Sequence, residues 1–409
     1  MVIFFKDVLK KDVSVKEGTP AKGDVQLKID SSIPEMGAEG YYMDVTDTVV
    51  VRAPQQTGLL YGAITVVQSL YSDKEKTFIP KGIARDYPAY KVRGAFLDVA
   101  RMGYPLEYLE EITKYMAWFK MNDFHLHLND KADQDYKSFR LESDLPNLTS
   151  TDLYYGKEEY KEFQDMAADW GVNIISEIET PGHARAFRDV PGIKMAADGE
   201  HLDISDRQTV ETIKGLFDEM LDGDDPVIRN PVVHIGTDEY YAGTSEQLNE
   251  YVYELTQHLA AKGVTMRFWG AFLNNAGVPE GVDKTIPGSQ CNIWASSGEW
   301  SDTLSPTQMM EYGYDLINSN GYNLYMSTTL TWRAKRPTLC LWAPLRCWAP
   351  TSSSGTTVVP PTPASLSSIP LPVSRAAPPS WRKRPGTAPR MKIRITTILQ
   401  NAIRCLKTS

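Results

Sequence analysis

The last 94 residues of the 409-residue sequence contain no acidic side chain. All 52 Asp and Glu lie at or before Asp315, whereas residues 316–409 carry 13 of the 43 Lys and Arg. The first 315 residues therefore hold 30 basic against 52 acidic groups, a net −22 concealed by the −9 of the whole chain. So acidic a body excludes nucleic acid as its partner. Cysteine is scarce as well. Three of the four (Cys340, Cys347 and Cys405) fall in the acid-free tail and Cys291 stands alone. Their spacing fits no zinc pattern, so neither a metal, a cofactor nor a disulfide is expected. No apolar run reaches about 18 residues, so no membrane span is expected. The opening "MVIFFKDVLKKD" has a short apolar stretch without a small-residue cleavage site. It is not read as a signal peptide, leaving a cytoplasmic protein or one that begins downstream of its natural N-terminus.

What is present falls into three parts. Residues 1–88 read as a small α/β domain. "VQLKID", "GYYMDV" and "TVVVRA" have β-branched, alternating character, and "TGLLYGAITVVQSLYS" has helical spacing. Residues 89–326 alternate strand and helix. The predicted strands are Gly94–Val99, Asp123–Leu128, Asn173–Glu179, Val232–Asp238, Met266–Trp269, Asn292–Ala295 and Asp315–Asn318. Helical segments such as "PLEYLEEITKYMAWFK" and "SEQLNEYVYELTQHLAAKG" separate several of them. Apolar strands in repeated βα units indicate a parallel sheet covered by helices. Seven of them point to a (β/α)8 TIM barrel whose eighth unit is missing. Residues 327–409 lose the rhythm and become Pro-rich and basic, as in "VVPPTPASLSSIPLP".

Residues i, i+2 and i+4 of a strand share a face. On that rule His125, His127 and Asn129 align, as do Glu177 with Glu179, and His234 with Gly236 and Asp238. Asp98 precedes Arg101 at the exit of the first strand, and His183 follows the third. Polar residues thus recur at the carboxyl ends of four strands, where barrel enzymes place their chemistry. Buried polar groups at that density cost stability unless they pair. Asp238 and Glu239 can serve one site only if the strand stops there. Otherwise one of them is an ordinary surface or helix-start charge.

The segment His234-Ile-Gly-Thr-Asp238-Glu239 resembles the signature of the family-20 glycoside hydrolases, the β-N-acetylhexosaminidases and their lacto-N-biosidase relatives. Leu97-Asp98-Val-Ala-Arg101, "YMAWFKMNDFHLHLND", "EIETPGHARAF", "FWGAF" and "NIWAS" resemble its other strand-end motifs, in order. The likeness covers roughly residues 38–326. It implies hydrolysis of β-linked N-acetylhexosamine from the non-reducing ends of oligosaccharides or glycoconjugates, in a family often secreted or at the cell surface. The substrate's own 2-acetamido oxygen would attack the anomeric carbon. Asp238 would hold the acetamido N–H, and Glu239 would be general acid and then base. A neighbouring anion is expected to raise the Glu239 pKa, which suits an acid near neutrality. The resemblance further implies sugar contacts from Arg101 and His127, pocket walls from Trp269 and Trp294, and a hydroxyl from Tyr322 or Tyr325. Glu179, His183 and His234 would orient these groups from behind.

The chain departs from the pattern at two places. Glu179 stands where the family usually has Asp, and the Trp-rich segment of the eighth strand is absent. A shifted reading frame would account for the second. Ser352-Ser353-Ser354-Gly355-Thr356-Thr357 can be encoded TCN TCN TCN GGN ACN ACN. One nucleotide earlier, those codons permit three apolar residues and then Trp-Asn-Asp, as the family's eighth strand reads. The bland alternative is a natural disordered tail. Three other functions stay open. "LNDKADQDYKSFRLESDLPNLTSTDLYYGKEEY" looks more like the lacto-N-biosidase branch, which releases a disaccharide. A degraded gene would leave an inactive sugar-binding remnant. A metal-dependent hydrolase would use His125, His127, His183, His234 and Asp238.

Overall fold

Seven apolar runs of the sequence form parallel strands in a computed structural model. It describes residues 2–131, 137–270, 289–294, 305–311, 313–320, 324–326, 339–344, 390–392 and 396–400. The strands are β1 (Gly94–Asp98), β2 (Asp123–His127), β3 (Asn173–Thr180), β4 (Val232–Gly236), β5 (Thr265–Trp269), β6 (Gln290–Ile293) and β7 (Asp315–Asn318). They pair side by side in chain order, all parallel. Every residue of β1 and β2 is buried, as expected where helices cover one face and barrel contents the other.

The helices follow from apolar spacing and caps. In α1 (Leu106–Trp118), Leu109, Thr113, Met116 and Ala117 are buried, one stripe at helical period. After α2 (Lys157–Asp169) comes α3 (Arg207–Leu221), whose first turn is capped by Asp206 accepting from Thr209 N at 2.9 Å. In α4 (Ser245–Ala261), Thr244 and Gln247 form a capping box. A short α5 (Pro306–Glu311) precedes β7.

The barrel interior is divided by residue type. Phe96, Trp269 and Ile317, from β1, β5 and β7, pack into an apolar cluster with Val92 and Trp294 against it. β2, β3 and β4 instead fill their side with His125, His127, Glu177, Glu179 and His234, all buried. No eighth parallel strand is present among the described residues. Leu339–Pro344 lies between β1 and β7 and runs antiparallel to both, with Cys340 opposite Phe96 and Asn318 opposite Ala343.

The second compact unit comprises residues 1–89 and 347–409. Its strands Val25–Ile29, Tyr41–Val45 and Val49–Ala53 and its helix Gln56–Tyr71 lie where the sequence places them. Two tail segments join it. Thr396–Gln400 pairs in parallel with Val25–Ile29, and Arg390–Lys392 pairs antiparallel with Phe78–Pro80. Ser352–Thr357, on which the reading-frame argument rests, lies outside the described residues.

Candidate active site

The strand carrying the Asp–Glu pair stops two residues before the sequence period suggests. β4 ends at Gly236, and the chain turns left-handed at Gly236 (φ 77°), Thr237 (φ 88°) and Glu239 (φ 51°). Asp238 is therefore not a strand residue aligned with His234; the turn brings it to the site. Space forces the turn as much as conformation does. A Cβ on Gly236 would stand 2.0 Å from the Glu179 carboxylate, which fills that place and accepts from Thr237 N at 2.8 Å. On the neighbouring loop Gly182 is constrained likewise, since a Cβ there would meet the Asp238 carbonyl oxygen at 2.5 Å.

Around this turn the ionisable groups form one chain. His183 Nε2 lies 3.3 Å from Glu239 Oε2 and 3.8 Å from Asp238 Oδ2, and its Nδ1 lies 3.2 Å from Asp130 Oδ2. Arg101 forks between Asp98 (2.7 Å) and Asp130 (2.6 Å) while its own side chain stays 46% exposed. Nearly half of the Arg101 side chain thus faces solvent even though its guanidinium bonds two buried carboxylates. Burial opposes charge on His183, but Asp130, Glu239 and Asp238 outweigh it and raise its pKa well above the usual value. Burial likewise opposes charge on Asp130, yet His127, His183 and Arg101 hold it ionised.

The expected pKa of Glu239 is reversed. Its hydrogen bond to His183 holds it below the ordinary carboxylate range, helped by the charges of His183 and Arg101. Asp238 is the member of the pair that is pushed up, chiefly by burial. The nearest strong influence on Glu239 is thus a cation 56 positions away in sequence, which adjacency could not reveal.

Beneath this chain lies a buried hub, Glu177. Its Oε2 is 2.7 Å from His127 Nδ1 and 3.1 Å from His125 Nε2; its Oε1 accepts from Trp269 Nε1 at 2.5 Å and is 3.1 Å from His234 Nδ1. His127 Nε2 bonds Asp130 at 2.9 Å, so both ring nitrogens are taken. This corrects the expected sugar contact: His127 is a buried link between Glu177 and Asp130. Burial opposes its charge, but those carboxylates lift it to about 10. Burial and the nearby Asp238 and Glu177 push Glu179 well above the carboxylate range, whereas Glu177, ringed by histidines, stays well below it.

The metal reading gathers five residues about one ion, and the structure separates them. His125 and His234 face Glu177 in a group whose potential ligand atoms lie within 4.8 Å of one another. His183 stands apart at Asp130 and Glu239. Trp269 and Trp294 meet in the apolar cluster with Phe96. Tyr322 and the Tyr325 side chain lie outside the described residues. Sequence reasoning passed over Asp130, and it aligned Glu177 with Glu179 without giving it a role. The signal for Asp130 was present, as an acidic residue directly after the aligned His125, His127 and Asn129.

These shifts give the network a pH dependence. A raised histidine stabilises the fold fully below its unfolded pKa and loses that effect as pH rises through its folded one. The contribution of His127 should therefore be complete below about 6.5 and fade towards 10. The depressed Asp130 and Glu177 lose theirs as pH falls below the usual carboxylate range. Thermal midpoints measured from pH 6 to 10 should fall less steeply for His127→Gln than for the unaltered chain. Equal slopes would place the titrating charge elsewhere.

The chain as a whole has counterparts among known proteins. Residues 90–349 match the catalytic-domain model of glycosyl hydrolase family 20, and residues 3–87 match that family's domain 2. The chain belongs to glycosyl hydrolase family 20. It is 25% identical over 346 residues to the lacto-N-biosidase of Bifidobacterium bifidum, covering 77% of this chain and 29% of that protein. It is also 25% identical to the β-hexosaminidase of Akkermansia muciniphila, over 74% of this chain and 67% of the relative. The chain thus spans under a third of the length of the first of these relatives. Among solved structures, the β-N-acetylhexosaminidase of Bacteroides fragilis superposes with TM-score 0.64 at 20% identity, covering 79% of this chain and 68% of that one. A mutant Streptomyces plicatus β-hexosaminidase in complex with the product GlcNAc gives 0.64 at 22%, covering 82% and 70%. These two likenesses establish the family-20 barrel fold.

Proposed function

We propose that this site hydrolyses β-linked N-acetylhexosamine from the non-reducing ends of glycans, with retention and with the substrate's acetamido oxygen as nucleophile. The observation that carries the reading is the junction of Glu239, His183 and Asp130, with Asp238 beside it. In the first step the acetamido oxygen bonds to the anomeric carbon as the glycosidic bond breaks, and Glu239 protonates the departing oxygen. Water then attacks the anomeric carbon, giving up a proton to Glu239 and restoring the acetamido group. Asp238 receives the acetamido N–H and balances the charge that develops.

The depressed pKa of Glu239 fits this cycle when the sugar's effect is included. Its side chain is 40% exposed in the free site. A bound sugar strips that water away and moves the group towards protonation, as an acid requires. Arg101, with its exposed fork, is the sugar-hydroxyl contact in this reading.

A second reading, release of a disaccharide, is favoured by the likeness to the Bifidobacterium bifidum lacto-N-biosidase across most of this chain. One assay separates the two. A chromogenic N-acetylglucosaminide and a chromogenic lacto-N-bioside are offered to the unaltered chain and to Glu239→Gln. Hydrolysis of the first alone supports the hexosaminidase, and of the second alone the biosidase. Glu239→Gln should lower the rate roughly 10²–10⁴-fold, the usual contribution of a general acid. Undiminished activity in that variant would remove Glu239 from the acid role.

A further inference from the structure

We propose that His201 is a positioning residue that holds the Glu239 carboxyl in line for proton transfer; this rests on the reading of Glu239 as the acid. The β4 ladder ends at Gly236, so the sheet does not fix Glu239, whose backbone is left-handed and whose side chain is half-exposed. His201 reaches it from another loop. Its Nε2 lies 2.9 Å from the backbone oxygen of Glu239, and its Nδ1 lies 2.7 Å from Asp198 Oδ2. Asp198 is itself anchored by the backbone N–H groups of Glu200 (2.8 Å) and His201 (3.0 Å). The ring also meets Tyr240 and Tyr241 edge-on, at 5.4 and 6.0 Å between centroids.

The turn that bears His201 is tied to the other end of the proton path. Ala184 N donates to Glu200 O and Leu202 N to Pro181 O, both at 2.9 Å, which fastens the turn to the loop carrying His183. One short segment thus grips the residues on either side of the 3.3 Å contact between His183 and Glu239. A displacement of about 1 Å at such a contact can cost on the order of 10²-fold in rate.

The test separates misplacement of an acid from general damage by varying the leaving group. A dinitrophenolate departs with little protonation, whereas a sugar alcohol needs the acid. The kcat/KM of the full chain is measured on a 2,4-dinitrophenyl glycoside and on an unactivated disaccharide, both of the sugar class it accepts. His201→Ala should lower the disaccharide value on the order of 10²-fold and the dinitrophenyl value only a few-fold. Because one preparation is used for both, misfolded material cancels in the ratio. His201→Gln places an amide N–H near the lost Nε2–H and should restore most of the disaccharide rate. Equal loss on both substrates, or no restoration by glutamine, would overturn the proposal. Glu239→Gln run alongside separates the two failures. An unaltered chain without turnover, or a Glu239→Gln variant without leaving-group dependence, would overturn the acid reading and this inference with it.

Discussion

Asp238→Asn should lose turnover of N-acetylglucosaminides by roughly 10²–10³-fold, the scale for removing one preorganised electrostatic partner of a transition state. The variant should keep its fold. Asparagine matches aspartate in shape, and burial already opposes the charge it removes. Its thermal midpoint should therefore be unchanged or higher, a divergence between activity and stability expected of a functional charge. The reason lies in the attack itself. As the acetamido oxygen bonds to the anomeric carbon, positive charge spreads into the amide, and a neutral Asn cannot balance it. Parallel measurement of kcat and thermal midpoint decides the matter. Full turnover in Asp238→Asn would assign the amide contact to another group.

Gly236→Ala should be the more damaging change to the fold. Two penalties coincide there. A non-glycine residue at φ 77° costs about 1–2 kcal/mol. The new methyl would also occupy the place of the Glu179 carboxylate, at 2.0 Å. Moving that carboxylate breaks its bond to Thr237 N and leaves buried polar atoms unpaired, at about 1–3 kcal/mol more. Gly199→Ala is the control. Its φ of 67° is similar, but nothing lies within 4 Å of the added Cβ. Denaturant midpoints should show a small loss for Gly199→Ala and a loss several-fold larger for Gly236→Ala. Matching losses would reduce the role of Gly236 to backbone conformation alone.

The seven parallel strands were legible because each is a short apolar run between turn residues, and all seven lie within two residues of the expected ends at both termini. β4 ends early at Gly236 for a reason invisible in its own sequence. The Glu179 carboxylate stands on Gly236, and the two meet only after β3 and β4 pair. His127 was misplaced for a similar reason. Strand period put its side chain inside the barrel, but its partners Glu177 and Asp130 are a matter of packing. The loss of acidic residues after Asp315 coincides with β7, the last parallel strand. That Leu339–Pro344 runs antiparallel between β1 and β7 was not legible at all.

By itself the sequence determined the alternation of strand and helix, the polar face of β2, β3 and β4, and the carboxyl-end position of the Asp–Glu pair. Those follow from periods of 2.0 and 3.6 residues, which are properties of the local chain. Only the tertiary structure decided which way the pKa of each carboxylate moves. His183 at 3.3 Å lowers that of Glu239, burial raises that of Asp238, and Glu177 and Glu179 divide in the same way. The energy of a charge depends on distance and on exclusion of water, and neither exists until the strands have come together.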